Sequence, residues 1–145
     1  MIKKFKTLLK RTIFKTRGVT RIVFVFDKFV IKIPNFTVTM NNFLLGCYCN
    51  WSERYLSKTH IYIDKDGNKY DINDKIAKSY FCSWFGLILI QEKIKILSKE
   101  QFEICKEILI RDYSDVCSDI KHSNFGHAIR INKQILVTND YGQNF

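Results

Sequence analysis

Near the end of the chain, the run Asp119-Ile120-Lys121-His122-Ser123-Asn124-Phe125-Gly126 places an acid, a base and an amide within six positions. Such a set can move a proton, neutralise an anion or offer oxygens to a hard cation. Sixteen residues beyond Asn124, the run Asn139-Asp140-Tyr141-Gly142 adds another carboxylate. Far upstream, Lys32 interrupts Val30-Ile31-Lys32-Ile33, whose other members are all aliphatic. A lysine there must reach solvent or find a carboxylate, because an unpaired buried charge is costly. Glu53 is available as that partner. Each residue also has a plain structural reading. Lys32 and Glu53 fit an ion pair, Asp119 and Asn124 fit a loop held by side-chain turns, and Asp140 fits an exposed turn near a terminus.

Elements must position these groups. After Gly18, Thr20 to Phe26 and Phe29 to Ile33 are β-rich runs hinged at Asp27-Lys28, a hairpin that the only proline, Pro34, ends. Residues 35–49 are ambiguous. Asn50-Trp51-Ser52-Glu53 matches a helix start, with Asn50 as cap and Glu53 reaching back, and the helix should run through Leu56 or beyond. His60 to Asp64 and Lys69 to Ile72 alternate around the turn signal Asp66-Gly67-Asn68. The oxygens of Asp64, Asp66 and Asn68 invite a calcium reading. However, the glycine and glutamate positions of a calcium-binding loop hold Lys69 and Lys75, so this is a turn.

Tyr80 to Trp84 and Leu87 to Gln91 are two further strands around Gly86, the second apolar enough to be buried. Ser98 and Gln101 form a capping box for a helix with the apolar stripe Phe102, Cys105, Ile108 and Leu109. From Asp112 a polar loop follows, and then a strand pair, Ile129 to Ile131 and Ile135 to Val137, around Asn132-Lys133. Strands, helix, strands, helix, loop and hairpin make an α+β chain.

At 145 residues the chain fits one compact domain with a real core. Its 46% hydrophobic and 14% aromatic content excludes disorder, and no apolar run reaches the roughly 18–20 residues that a membrane-spanning helix needs. Five cysteines, Cys47, Cys49, Cys82, Cys105 and Cys117, lack both framework and zinc-finger spacing and follow no export signal, so a reducing, cytoplasmic setting is expected. Net charge is +10, and seven of the cations, with no acid, fall in residues 1–17. Ile2, Phe5, Leu9 and Ile13 recur there at helical spacing. Residues 1–17 are therefore expected to form a basic amphipathic helix. It either packs against its own domain or meets an anionic membrane surface, a nucleic acid or an acidic partner, which would make the protein membrane-peripheral.

The ordered set resembles the protein-kinase-like superfamily. In that pattern a strand lysine serves the ATP phosphates, a helix glutamate holds it, and a D-x-K-x-x-N catalytic loop and a D-F-G metal motif follow. Val30-Ile31-Lys32, Glu53, Asp119 to Asn124 and Asp140-Tyr141-Gly142 stand in that order, with 21 positions from Lys32 to Glu53, 5 from Asp119 to Asn124 and 16 from Asn124 to Asp140. The resemblance implies a kinase-like fold over residues 18–145. Residues 18–94 would form an antiparallel sheet lobe with a helix, and residues 95–145 a truncated helical and catalytic-loop lobe. It implies ATP and Mg²⁺ as cofactors, Lys32 at the phosphates with Glu53 behind it, and Gln91, Glu92 and Ile94 in a segment whose backbone meets adenine. It further implies Asp119 and Lys121 as the catalytic pair and Asn124 with Asp140 as metal ligands. Phosphoryl transfer is mainly positioning and charge neutralisation, which asks for these residue types.

The chain departs from the pattern in three places. No G-x-G-x-x-G precedes the first strand, where Gly18 stands alone, and Cys117-Ser118 replaces the family's His-Arg. Only Gln143-Asn144-Phe145 follow Gly142, so the activation segment and substrate-binding helices are expected to be missing. Small kinase-like proteins of bacteria and their phages are similar to this. Two functions follow: a minimal phosphotransferase acting on a hydroxyl acceptor, or a pseudokinase-like module that binds a protein partner or an anionic surface.

Overall fold

The computed structural model describes residues 14–63, 66–114, 117, 120–131 and 133–140. The chain is mixed α and β, with antiparallel sheets and two long helices. It clusters into two compact units, one of Met1–Trp51 with Tyr80–Lys93 and one of Ser52–Ser79 with Ile94–Phe145. This division differs from the expected one at residue 94, because Ser52–Ser79 groups with the later part of the chain.

The first unit is built on a five-stranded sheet. Its strands are β1 (Phe14–Arg17), β2 (Arg21–Val25), β3 (Phe29–Pro34), β6 (Ser79–Cys82) and β7 (Leu89–Glu92), in the order β1-β2-β3-β7-β6. The hairpin expected around Asp27-Lys28 is β2–β3, with Val25 opposite Val30. Residues Phe14–Arg17 pair with Ile22 to Val25 as a strand. The helix expected over residues 1–17 therefore does not include them, and its remainder lies outside the described residues. β-Branched and aromatic residues across the pairing partner make this stretch a better strand than helix once a neighbour is present. Among the described residues, Ile22, Phe26, Ile31, Pro34, Cys49 and Leu89 are buried apolar side chains of this unit.

Helix α1 spans Met40–Thr59, ten residues earlier than the cap expected at Asn50. Thr39 caps it instead, its hydroxyl accepting the Asn42 N–H at 3.4 Å. Asn50 is fully buried in mid-helix, where its side chain bonds to other segments rather than to its own helix. Its capping signature was local, and tertiary partners overrode it.

In the second unit, the hairpin of β4 (Ile61–Ile63) and β5 (Lys69–Asp71) forms around the expected turn, where Gly67 takes φ +84°. Helix α2 (Lys99–Tyr113) opens on the expected capping box. Ser98 Oγ accepts the Gln101 N–H at 3.1 Å, and Gln101 Oε1 accepts the Ser98 N–H at 3.0 Å. Phe102 and Leu109 of its stripe are buried. Ile108 is exposed, and Tyr113, within the stretch expected as loop, completes the buried face. A three-stranded sheet of β8 (Lys95–Ile96), β9 (Phe125–Arg130) and β10 (Lys133–Thr138) runs in the order β10-β9-β8. The core joins α2 to these strands through Phe102, Leu109, Tyr113 and Phe125, with Ile72, Ile76 and Leu97.

The β9–β10 turn carries Ile131 at φ +49° with its side chain 96% exposed. A β-branched residue pays about 1–2 kcal/mol in this left-handed region, and nothing is buried in return. Ile131→Gly should therefore raise unfolding stability by about 1 kcal/mol, measured by urea denaturation.

Candidate functional site

Lys32 sits on β3, the middle strand of the five, opposite Val23 and Leu89. It is only 5% exposed, so the solvent alternative is ruled out for this side chain. Its backbone is held by Asn50, whose Nδ2 donates to Lys32 O at 3.2 Å and to Gly86 O at 2.8 Å. An amide on α1 thus ties the lysine's strand to the β6–β7 turn. Asn50 is a positioning residue that its cap-like sequence disguised.

Gln91 and Glu92 lie on β7 opposite Val30 and Phe29, so both belong to the sheet rather than to a segment leaving it. Gln91 is fully buried and Glu92 half-buried. Ile94 belongs to the second unit and packs with Ala77, Ala128 and Val137.

Glu53 is fully buried on the last turns of α1, in the second unit. The backbone there is stitched to Ser79. Ser57 Oγ accepts the Ser79 N–H at 2.8 Å, Ser79 Oγ donates to Glu53 O at 3.5 Å, and the Arg54 guanidinium donates to Ser79 O. A carboxylate held this deep is rare unless paired.

The expected catalytic loop is a short 3₁₀ turn, His122–Asn124, closed by the Asn124 N–H donating to Lys121 O at 2.9 Å. Lys121 is exposed. His122 is half-buried with its ring edge-on to Phe102 at 6.4 Å. Asp119, Tyr141 and Gly142 lie outside the described residues.

β9 begins at Phe125, immediately after Asn124, and β10 ends at Thr138, immediately before Asn139 and Asp140. Six paired residues, from Lys133 opposite Arg130 to Thr138 opposite Phe125, fold the chain back on itself. Asn124 and Asp140, sixteen positions apart, consequently emerge at the same end of one hairpin. The junction is cross-tied. Asn124 O accepts the Asn139 N–H at 2.9 Å and the Thr138 hydroxyl at 3.0 Å, and the Asp140 N–H donates to Thr138 Oγ1 at 3.4 Å.

Thr138 also donates its N–H to Lys75 O and accepts the Ala77 N–H, each at 2.8 Å, and it is fully buried. Sequence reasoning missed this residue because a threonine near a strand end carries no chemical signature of its own. Gly126 was equally unassigned. A Cβ there would collide with the Lys95 carbonyl of β8, so the glycine lets β8 and β9 approach directly behind Asn124.

The donor set Asn124 and Asp140 is hard oxygen, which suits Mg²⁺ with retained waters. Among the described residues no group of three or more His, Cys, Asp or Glu could hold a metal. No family model, curated protein or solved structure matches the chain.

Beneath the junction, Tyr113 donates its phenol to Leu136 O at 2.7 Å, and the Lys75 ammonium lies over its ring at 5.7 Å. Burial first, and Asp112 second, push the phenol up from 10.0 to about 12. The fold favours the neutral phenol. Its contribution is therefore complete below pH 10 and is lost as pH rises through about 12. Tyr113→Phe should lose about 1 kcal/mol at neutral pH. It should also flatten the fall in stability between pH 10 and about 12, seen by comparing denaturation midpoints of the two proteins across that range. Thr138→Val, which keeps volume and removes the hydroxyl, should cost about 1–3 kcal/mol in the same assay, and Thr138→Ser should recover most of it.

Proposed function

We propose that the chain is a minimal kinase-like protein that binds ATP with Mg²⁺ and transfers the γ-phosphate to a hydroxyl acceptor. The observation that carries this reading is the cross-tied end of the β9–β10 hairpin, which supports Asn124 and Asp140 as a pair of oxygen ligands. The element order agrees with it. A middle strand carries a buried lysine, the next helix carries a buried glutamate, and β7, α2 and the 3₁₀ turn follow before the hairpin.

In this scheme Lys32 neutralises the phosphates and Glu53 fixes the lysine. The backbone of Gln91 to Ile94 receives adenine. Asn124 and Asp140 would hold Mg²⁺, and the charge it supplies when bound would offset that of the phosphate oxygens. Lys121 meets the transferring phosphate, and Asp119 takes the proton of the acceptor hydroxyl.

ATP should raise the thermal midpoint of the full chain, and ATP with Mg²⁺ should raise it further, because ligand binding to the native state alone is stabilising. Asn124→Ala and Asp140→Ala should abolish the magnesium increment. Asp119→Ala should keep the nucleotide shift and lose label transfer from γ-labelled ATP. Absence of any shift with either addition would end the reading.

One observation favours the alternative of a pseudokinase-like interaction module. Gly18 lies in the β1–β2 turn, where a phosphate-cradling loop would sit, yet its N–H donates to Arg21 O at 2.8 Å. Its carbonyl accepts Asn35 Nδ2, also at 2.8 Å. The only glycine of that turn spends its backbone on closing the turn rather than on an anion. Nucleotide binding without transfer, together with partner binding unchanged by Asp119→Ala and Asp140→Ala, is the outcome this alternative requires.

A further inference from the structure

The two units differ sharply in charge. The first holds eleven lysines and arginines against two acids, Asp27 and Glu92, and so carries +9 of the chain's +10. That unit also leaves an uncharged apolar surface in water. On α1, Met40, Leu44, Tyr48 and Trp51 recur at spacings of four, four and three, which puts them on one helix face. They are 68%, 55%, 44% and 51% exposed.

The β6–β7 turn lies against the same stretch of helix. Gly86 packs on the Cys47 carbonyl, closer than any Cβ would allow, and its φ of +68° suits glycine alone. Asn50 holds Gly86 O from the helix side. The turn presents Trp84 and Phe85, 90% and 73% exposed, their rings stacked at 6.1 Å and 13°. At about 150–250 Å² per aromatic side chain, these two rings at their exposures leave on the order of 300 Å² in water. With the helix face added, the patch matches the largest that a monomer usually leaves.

The charge decides what covers such a patch. Two copies would bring +9 against +9, with no acid in the patch to offset it. A nucleic acid would stack on the rings but would leave the aliphatic Met40 and Leu44 with nothing to bury. An anionic bilayer uses everything present. Its headgroups attract the net positive charge of the unit, and its interfacial zone accepts tryptophan, phenylalanine and leucine together. We propose that the first unit docks on an anionic lipid surface, with the Trp84–Phe85 turn and the Met40–Trp51 face of α1 entering the interface. Charge and apolar insertion are the two signals that stable peripheral binding needs. The docking does not depend on nucleotide binding.

The chain's two tryptophans, Trp51 and Trp84, both lie in the patch, so intrinsic fluorescence reports on it directly. The full chain should float with phosphatidylcholine vesicles containing phosphatidylglycerol, but not with phosphatidylcholine alone. Its emission should shift to the blue, and binding should weaken as salt rises. The double variant Trp84→Ser with Phe85→Ser should bind at least about tenfold more weakly, since burying one such ring is worth that much or more. Leu44→Gln, on the helix, should weaken binding in the same direction and keeps the test decisive if the double variant does not fold. Four results would overturn the proposal. These are no vesicle binding, vesicle binding unchanged in the folded variants, a fluorescence response to single-stranded oligonucleotide but not to vesicles, or a lipid-free dimer that shields the tryptophans.

Discussion

A buried carbonyl must find a donor, and Asn124 O finds two in the strand that returns beside it, the Thr138 hydroxyl and the Asn139 N–H. Much of the second unit depends on meeting that requirement. Thr138 can reach Asn124 only because the β9–β10 ladder keeps register over its full length, with Phe125 opposite Thr138. The register in turn places Phe125, rather than a neighbour, in the core against Tyr113 and Phe102. A slip of one residue would turn Phe125 outward and separate Asn124 from Asp140. Core packing and the placement of the two candidate ligands are thus one constraint.

The same threonine extends this order to the segment before β6. Through the bonds of Thr138 to Lys75 and Ala77, residues 75–77 run alongside the end of β10, with Ile76 bridged to Thr138 in parallel. Arg130, on the neighbouring strand, clamps the carbonyls of Asn73 and Ile76. Few of these groups are themselves chemical. They remove the freedom of a short turn whose side chains would otherwise sample many positions, and the cation site proposed above would need order of that kind.

The periodic and capped parts of this chain were legible in its sequence. The β2–β3 and β4–β5 hairpins and the Ser98–Gln101 box form where alternation and turn residues place them. The last strand pair was expected at Ile129 to Ile131 but begins at Phe125 and puts Ile131 in the turn, because the polar run before it hid the start of β9. Asn50 misled because its sequence context fits a helix cap, whereas its amide is used across the fold by Lys32 O and Gly86 O. Phe14–Arg17 misled because a basic run with helical spacing says nothing about an available strand edge on β2. The candidate ligands Asn124 and Asp140 could be named from their types. That they share one hairpin end could not, since it rests on a register set by Phe125 and a hydroxyl on Thr138.

The distribution of charge carries the argument one step further. A unit with +9 and a second near neutrality repel each other little, but copies of the first repel strongly. Selection for solubility alone would be expected to place some of the lysines and arginines on the exposed face of α1, where they would cover apolar surface at little cost. Instead, Met40–Trp51 of α1 carries no lysine or arginine, and Met40, Leu44, Tyr48 and Trp51 hold its outward positions. A surface kept apolar inside a strongly cationic unit suits a partner that is both anionic and able to accept hydrocarbon, and under the docking proposed above a bilayer would meet both conditions at once.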